Sequence, residues 1–306
     1  DIPVIELLAQ AIPVTIKLVI SATILAIVLG ISVGMITAIR QYSRFDYVMT
    51  FISFLLFSLP IFWVAVLLKE FMAIRFNDFL VNPQISTLTI IIASLFLGLV
   101  LAGFAGGTRP QFFLVLAGGA VFTAVTVTFM EFSNWFLEPS LGIFGVSFLA
   151  LCNAAIVILL ISGLESKKGR IAGLGTAVAI TALYYPLQLL MSADASFINV
   201  VAIFSITIST GLAIGYAVSP IDRRVYTRIG LFTAFLSTFP LIIDRYLREF
   251  SDYLASDAVN GRPVPTIGQG KDLLTTKQSE NFWISGLDTG LHLILPTIAL
   301  TLISFA

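Results

Sequence analysis

Two long apolar runs, separated by a short polar turn, open the chain. The first run reads from Thr15 to Arg40, the turn has the sequence QYSRFDY, and the second run ends at Phe71. Each run exceeds the roughly 20 apolar residues that an α-helix needs to cross a bilayer. Since lipid offers the backbone no hydrogen-bonding partner, such runs must be helical. The sequence therefore predicts a transmembrane helical hairpin at residues 15–71.

The rest of the chain repeats this pattern. Of the 306 residues 58% are hydrophobic and only 11% are charged, whereas a soluble domain has about 25% charged residues. Further apolar runs follow at residues 87–106, 112–131, 142–164, 171–192, 196–218, 226–243 and 291–306. We therefore predict an all-α fold, a polytopic transmembrane helical bundle of about nine spans.

The distribution of charge predicts how the bundle is oriented. If the QYSRFDY turn lies inside the cell and the spans alternate, every inner turn is basic. These turns contain Arg40, Arg44, Arg109, Lys167, Lys168, Arg170, Arg223, Arg224 and Arg228, nine of the 17 basic residues. Basic residues in short turns near span ends set orientation in this way. We expect the chain in the cell membrane, with residue 1 and the loop 244–288 on the extracytoplasmic side.

The second apolar run contains a proline within the segment Ser58-Leu-Pro-Ile-Phe-Trp. Pro60 has no backbone N–H and should kink the helix, and Ser58 is placed to satisfy a freed carbonyl. Phe62 and Trp63 lie deeper than the usual interfacial aromatic belt. A kinked packing helix and a gate on a translocation pathway both fit this segment.

Two glycine pairs have the spacing that lets helices approach closely. Gly30 and Gly34 lie in the first span, and Gly211 and Gly215 lie in a later one. Helix packing is the simpler interpretation of both pairs. The first pair could also line a pathway.

Two amphipathic segments flank apolar runs. Residues 1–12 and the segment from Ile243 to Leu254 both place apolar side chains at helical spacing. Each predicts a helix lying on the membrane surface. His292 and Pro296 stand at the entry of the last span, and a polar anchor at the interface is the simplest role for His292.

Several kinds of chemistry are excluded. A single histidine, His292, cannot build a multi-histidine metal site, and the Gly270–Lys271 pair lacks the other residues of a phosphate-binding loop. We expect no catalytic residue and no cofactor in this chain. The predicted span cores contain essentially no Asp or Glu, which argues against an ion- or proton-coupled secondary transporter.

Three segments together resemble the membrane permease subunits of dipeptide/oligopeptide-type ABC importers. They are PVIELLAQAIPVTIKL with LGISVGMITAIRQYSRFD, then FSLPIFWVAVLLKEF, and finally PTIGQ with NFWISGLDTGLHLILPTIALTLISFA. They lie at the two ends of the chain. The resemblance implies a permease core made of the two N-terminal spans plus the last span, interrupted by an inserted six-span block.

This comparison implies a division of the chain. Residues 1–74 form the first part of the core, 75–86 an outer connection, and 87–243 the inserted block. Residues 244–288 form an extracytoplasmic loop and 289–306 the last core span, which is expected to continue into a cytoplasmic segment. The first residue is Asp rather than Met, so a preceding segment is also expected.

The resemblance implies a transport subunit rather than an enzyme. A second homologous permease would complete the pathway, two cytoplasmic ATPase subunits would bind ATP and Mg, and an extracytoplasmic solute-binding protein would deliver peptides or similar small solutes. The other partner is the lipid bilayer, and no nucleic acid is expected. Two alternatives stay open, an ion- or proton-coupled secondary transporter and a membrane assembly protein without a pathway.

Overall fold

The computed structural model describes residues 4–257, 259–266 and 280–305. Residue 1, the Gly270–Lys271 pair and Ala306 lie outside this part of the chain. The α-helices are α1 (Val4–Ile39), α2 (Arg44–Ser58), α3 (Ile61–Leu68), α4 (Arg75–Val81), α5 (Thr87–Ala105), α6 (Arg109–Phe132), α7 (Gly142–Ile161), α8 (Lys167–Ala182), α9 (Tyr184–Gln188), α10 (Phe197–Val218), α11 (Arg223–Leu254) and α12 (Phe282–Phe305). A π-helix, Lys69–Ile74, joins α3 to α4, and a short 3-10 helix, Leu189–Met191, follows α9.

Helices of membrane-spanning length account for most of the described residues. Seven single helices are long and apolar enough to cross a membrane, and two further helix pairs pass the same test but are sharply bent. With each bent pair counted as one span the number is nine. The predicted all-α polytopic bundle of about nine spans is therefore confirmed.

Two predicted surface helices are continuous with spans. Helix α1 begins at Val4 and runs unbroken past Pro13, and α11 continues to Leu254 with Pro240 inside it. The helical spacing of apolar residues in these two segments is equally compatible with a single helix that includes both the segment and the adjoining span. The sequence correctly indicated helix at both places but placed a boundary where none exists.

The chain divides into two compact units, with residues 1–136, 259–273 and 288–306 in unit 1 and residues 137–258 and 274–287 in unit 2. Helices α5 and α6, which the sequence assigned to an inserted block, belong to unit 1. The predicted division into a core and an insertion at 87–243 remains a prediction.

Unit 2 is organised around the close packing of α10 on α11. A Cβ added at Gly211 would lie 2.3 Å from the carbonyl oxygen of Gly230, and one added at Gly215 would lie 2.3 Å from that of Tyr226. Only glycine permits this backbone approach. The packing interpretation of Gly211 and Gly215 is confirmed. Trp283 is fully buried in the same unit and donates its indole N–H to the Ser192 carbonyl at 2.9 Å.

A buried carboxylate connects α11 to the start of α7. Asp244 is completely buried, and its Oδ1 accepts the backbone N–H groups of Leu141 and Gly142, both at 2.8 Å. Its Oδ2 accepts the Tyr184 hydroxyl at 2.7 Å and the Arg248 Nε–H at 3.0 Å. The first N–H groups of a helix lack intrahelical partners, so Asp244 serves as a remote cap for α7. In the sequence, Asp244 is one of the charged residues of the segment from Ile243 to Leu254, which predicts a helix on the membrane surface.

Candidate translocation segment

The segment that resembles the permease motif contains a sharp break. Helix α2 and the following segment Ile61–Val81, which contains α3, the π-helix and α4, meet at 102°. Pro60 is the N-cap residue of α3, with φ −62° and ψ 134°, and therefore starts a new helix rather than bending an old one. Its carbonyl accepts the N–H of Trp63 at 2.9 Å and that of Val64 at 3.3 Å. The predicted proline-induced kink is confirmed, and at 102° it turns the chain by more than a right angle.

The Ser58 side chain compensates for a backbone hydrogen bond that is lost at the break. Because the N–H of Leu59 turns to the Leu56 carbonyl at 3.2 Å, the carbonyl of Leu55 loses its i+4 partner. The Ser58 hydroxyl donates to that Leu55 carbonyl at 2.7 Å. Within lipid an unsatisfied carbonyl costs several kcal/mol, so Ser58 does what the sequence predicted of it.

A π-helix follows directly after α3. Residues Lys69–Ile74 adopt the wider π conformation before α4 begins at Arg75. Stretches of π-helix inside α-helices are uncommon and occur often at functional sites. No sequence pattern indicated this one.

A cavity of about 280 Å³ lies beside the π-helix in unit 1. It is lined by Ala65, Lys69, Pro265, Thr266, His292, Leu295, Pro296 and Ala299. These residues come from the α3–π-helix segment, the loop 259–266 and α12. The structure therefore brings together the two parts of unit 1 that resemble the permease family. His292 and Pro296 lie on one wall of the cavity, and the helix after the break lies on another.

The loop that closes this cavity is fixed by an asparagine. Asn77 of α4 is 2% exposed, donates its Nδ2–H to the Val264 carbonyl at 2.8 Å, and accepts the Val264 N–H at 3.1 Å. Arg262 pairs with Asp78 at 2.8 Å at the exposed edge. Since the buried amide satisfies both backbone groups of one residue, it sets the position of the neighbouring cavity residues Pro265 and Thr266.

His292 is held within α12. Its Nδ1 lies 2.8 Å from the Asp288 carbonyl oxygen and 3.5 Å from the Asp288 Oδ1. The side chain is only 15% exposed, so the ring faces the cavity from a fixed position. Lys69 supplies the cationic group of the opposite wall, and among the described residues it has no ion-pair partner.

The other predicted residues of the break do not line this cavity. Phe62 and Trp63 are 67% and 49% exposed, and Ser58 and Pro60 also lie on the exposed surface of unit 1. Phe62 and Trp63 lie on the same helix as the cavity residue Ala65, but they do not line the cavity. Their role on a pathway remains a prediction.

Gly30 and Gly34 line a second cavity of about 290 Å³, between α1, α2 and the end of α12. A Cβ added at either glycine would meet no atom within 4 Å. Thr37 and Ser53 also contribute to this surface. The pair is therefore not used for close packing inside the described chain, in contrast to Gly211 and Gly215. The role of Gly30 and Gly34 on a pathway stays a prediction.

The basic residues of the predicted inner turns have different surroundings. Arg40 donates to the carbonyls of Gly103 and Ala105, both at 2.9 Å. Lys168 donates to Ser219 at 3.1 Å, and Arg223 to the Tyr216 hydroxyl at 2.7 Å. Arg40 is half-buried, and the other basic residues of these turns, among them Arg44, Lys167, Arg170 and Arg224, are exposed. No group of three or more metal-ligating side chains occurs in the described ranges.

Part of the chain is similar to known transport proteins. It is 36% identical over 77 residues to the oligopeptide transport system permease protein AppB of Bacillus subtilis, which is 25% of this chain and 24% of the relative. It is 40% identical over 65 residues, 21% of this chain and 20% of the relative, to the dipeptide transport system permease protein DppB of Alkalihalophilus pseudofirmus. It is 41% identical over 69 residues, 22% of each chain, to the putrescine export system permease protein SapB of Escherichia coli.

These similarities confirm the resemblance inferred from the sequence, over less than a third of the chain. The matched stretch spans no more than about a quarter of the length of these curated relatives. No family model matches the chain, and no solved structure matches it with statistical significance. Together with the apolar helices, the relatives identify a multi-pass membrane protein with the sequence features of a transport permease.

Proposed function

We propose that this chain is the transmembrane permease subunit of an ATP-driven importer for peptides or similar small solutes. One observation carries the proposal. The two chain ends that resemble the permease family meet at the cavity between the π-helix and α12, although Ala65 and Ala299 are far apart in sequence. A translocation pathway needs polar groups in a concave site among apolar helices, and this cavity offers Lys69, Thr266 and His292.

The chain performs no chemistry of its own in this proposal. Two cytoplasmic ATPase subunits bind ATP and Mg and hydrolyse the nucleotide. A second homologous permease completes the pathway, and an extracytoplasmic solute-binding protein delivers the substrate. The broken span at Pro60 provides the point where helices move between outward- and inward-facing states. The complex sits in the cell membrane, with the loop 244–288 on the extracytoplasmic side.

The charge of the cavity favours peptides over a diamine as the substrate. Lys69 presents an ammonium group without an ion-pair partner among the described residues. A cation attracts the carboxylate of a peptide, whereas it repels a doubly charged diamine such as the putrescine named for one relative. Lys69→Gln should therefore weaken dipeptide uptake, while Lys69→Arg retains it.

The proposal is tested by uptake measurements in cells that carry the complete transporter. Pro60→Ala restores a backbone N–H at the break, and Trp63→Ala removes the ring beside it, so both variants should reduce dipeptide uptake. Co-purification of the ATPase subunits should be unchanged, because neither residue is expected at the cytoplasmic docking surface. Phe144→Ala is the matched control, since this aromatic side chain is 88% exposed in unit 2. Normal uptake in both test variants would refute the proposal.

The same measurements separate the two alternatives. A secondary transporter would import solute without the ATPase subunits, and its uptake would stop when the proton gradient is dissipated. An assembly protein would show no change in uptake on substitution of Pro60, Trp63 or Lys69, and loss of the whole complex when the chain is deleted.

A further inference from the structure

A third cavity of unit 1, of about 870 Å³, lies beside the turn between α1 and α2. Its walls are formed by apolar side chains of α2, α5 and the start of α6, including Phe45, Val48, Ile52, Leu99, Phe104 and Phe112. Phe45 and Phe104 meet edge to face with their ring centroids 5.0 Å apart. Cavities of this volume hold small organic molecules, and walls of this kind exclude polar ones.

The rim of this cavity is basic. The guanidinium of Arg40 donates two hydrogen bonds to carbonyls at the end of α5, where helical carbonyls lack partners. Arg44 also lines the cavity but is exposed, and no described group pairs with it. The one acid of the turn, Asp46, accepts the backbone N–H of Tyr42 at 2.9 Å. One free guanidinium therefore stands at the mouth of an apolar cavity.

We propose that this cavity binds an anionic phospholipid, with an acyl chain between α2 and α5 and the headgroup phosphate at Arg44. The guanidinium matches a phosphate in charge and in hydrogen-bonding geometry. The apolar walls match an acyl chain, which the bilayer supplies wherever the cavity opens to lipid. Neither feature alone selects the ligand, because an anion without a chain gains nothing from the walls, and the choline cation of a zwitterionic lipid offsets the attraction of its phosphate to Arg44.

The predicted orientation supports the same ligand. The turn with Arg40 and Arg44 is expected on the cytoplasmic side, where anionic lipids are concentrated and where basic pockets between helices bind their headgroups. The site is independent of the transport proposal, since it lies beside α5 and α6 rather than at the cavity of Lys69 and His292. A bound lipid would fill a gap that the described chain leaves open.

Lipid retention measured by native mass spectrometry tests the proposal. The full chain is delipidated in detergent and titrated with phosphatidylglycerol or phosphatidylcholine of identical acyl chains. Wild type should retain the anionic lipid about fivefold better, the preference expected from one arginine near a headgroup. Arg44→Gln should abolish this preference, and Arg44→Lys should preserve most of it.

Two further variants separate the parts of the site. Arg224→Gln removes one exposed arginine of unit 2 and should leave the preference unchanged. Val48→Trp fills the cavity and should reduce retention of both lipids, because the acyl chain loses its space. Equal retention of the two lipids by wild type, or the same result for Arg44→Gln and Arg224→Gln, would overturn the proposal. So would full retention by Val48→Trp.

Discussion

The capping carboxylate of unit 2 leads to a quantitative prediction. Asp244→Ala removes an acceptor that receives four hydrogen bonds, two from the start of α7 and one each from Tyr184 and Arg248. None of these donors can reach water through the Asp244 site, because that side chain is completely buried. The variant should therefore lower the free energy of unfolding.

The size of the effect follows from the burial of each partner. Removing one member of a buried ion pair costs about 3–5 kcal/mol. Arg248 is 39% exposed and can regain solvent once its partner is lost, so we expect a loss near the lower limit, about 3 kcal/mol. Asp244→Asn keeps one acceptor oxygen and should lose less, about 1–3 kcal/mol.

The assay is reversible unfolding of the purified protein in mixed micelles of increasing SDS content. All variants are made in a background with Trp63→Phe and Trp135→Phe, so that fluorescence comes from the buried Trp283 and reports on unit 2. Asp252→Ala provides the control, because this residue lies on the same helix and is exposed, and it should change the free energy by less than about 0.5 kcal/mol. If Asp244→Ala were no more destabilising than Asp252→Ala, the carboxylate would not hold the start of α7.

Two other pairs of variants test the packing of glycines and the fixation of a loop. Gly215→Val should destabilise the protein in thermal unfolding by about 1–3 kcal/mol, because its Cβ would lie 2.3 Å from the Tyr226 carbonyl oxygen. Gly30→Val should be tolerated in the same assay, because no atom lies within 4 Å of an added Cβ. Asn77→Ala should speed proteolysis of the loop 259–266, while the exposed Asn82→Ala should not. Equal behaviour within either pair would contradict the contacts described.

The helices could be predicted because their signal is local and strong. Apolar runs longer than a bilayer is thick leave no alternative to helix. Pro60 predicts a break in its helix because proline has no backbone N–H. The basic turns likewise identify span ends. The ends of the spans were predicted less well, because the apolar periodicity of each predicted surface helix runs without interruption into the adjoining span.

The remaining features depend on distant residues. Asn77 reads as a turn residue in the sequence, and its partner Val264 lies 187 residues away. The sequence around Asp244 predicts an exposed charge, and only the fold shows that the start of α7 packs against this carboxylate. The charged residues spaced by four positions, Asp244 with Arg248 and Arg245 with Glu249, were the one signal of a packed network. The π-helix and the cavities have no local signature.

The two bent helix pairs decide where every turn between them lies. A bent pair that returned to its own side of the membrane would shift all following turns to the opposite side. If both pairs returned, the number of crossings would fall from nine to seven, and both counts are odd, so the final helix would end on the same side.

Only the turns in between would exchange sides. Arg109, Lys167, Lys168 and Arg170 would face outward, and Glu131 and Glu138 would face the cytoplasm, against the rule for basic residues. The rule for basic residues therefore predicts that both segments, despite the 102° break at Pro60 and the 51° bend after α8, reach the far surface. A cysteine placed in the turn before Arg109 and probed with an impermeant reagent distinguishes the two arrangements, because it is protected if the first bent pair crosses and labelled if that pair returns.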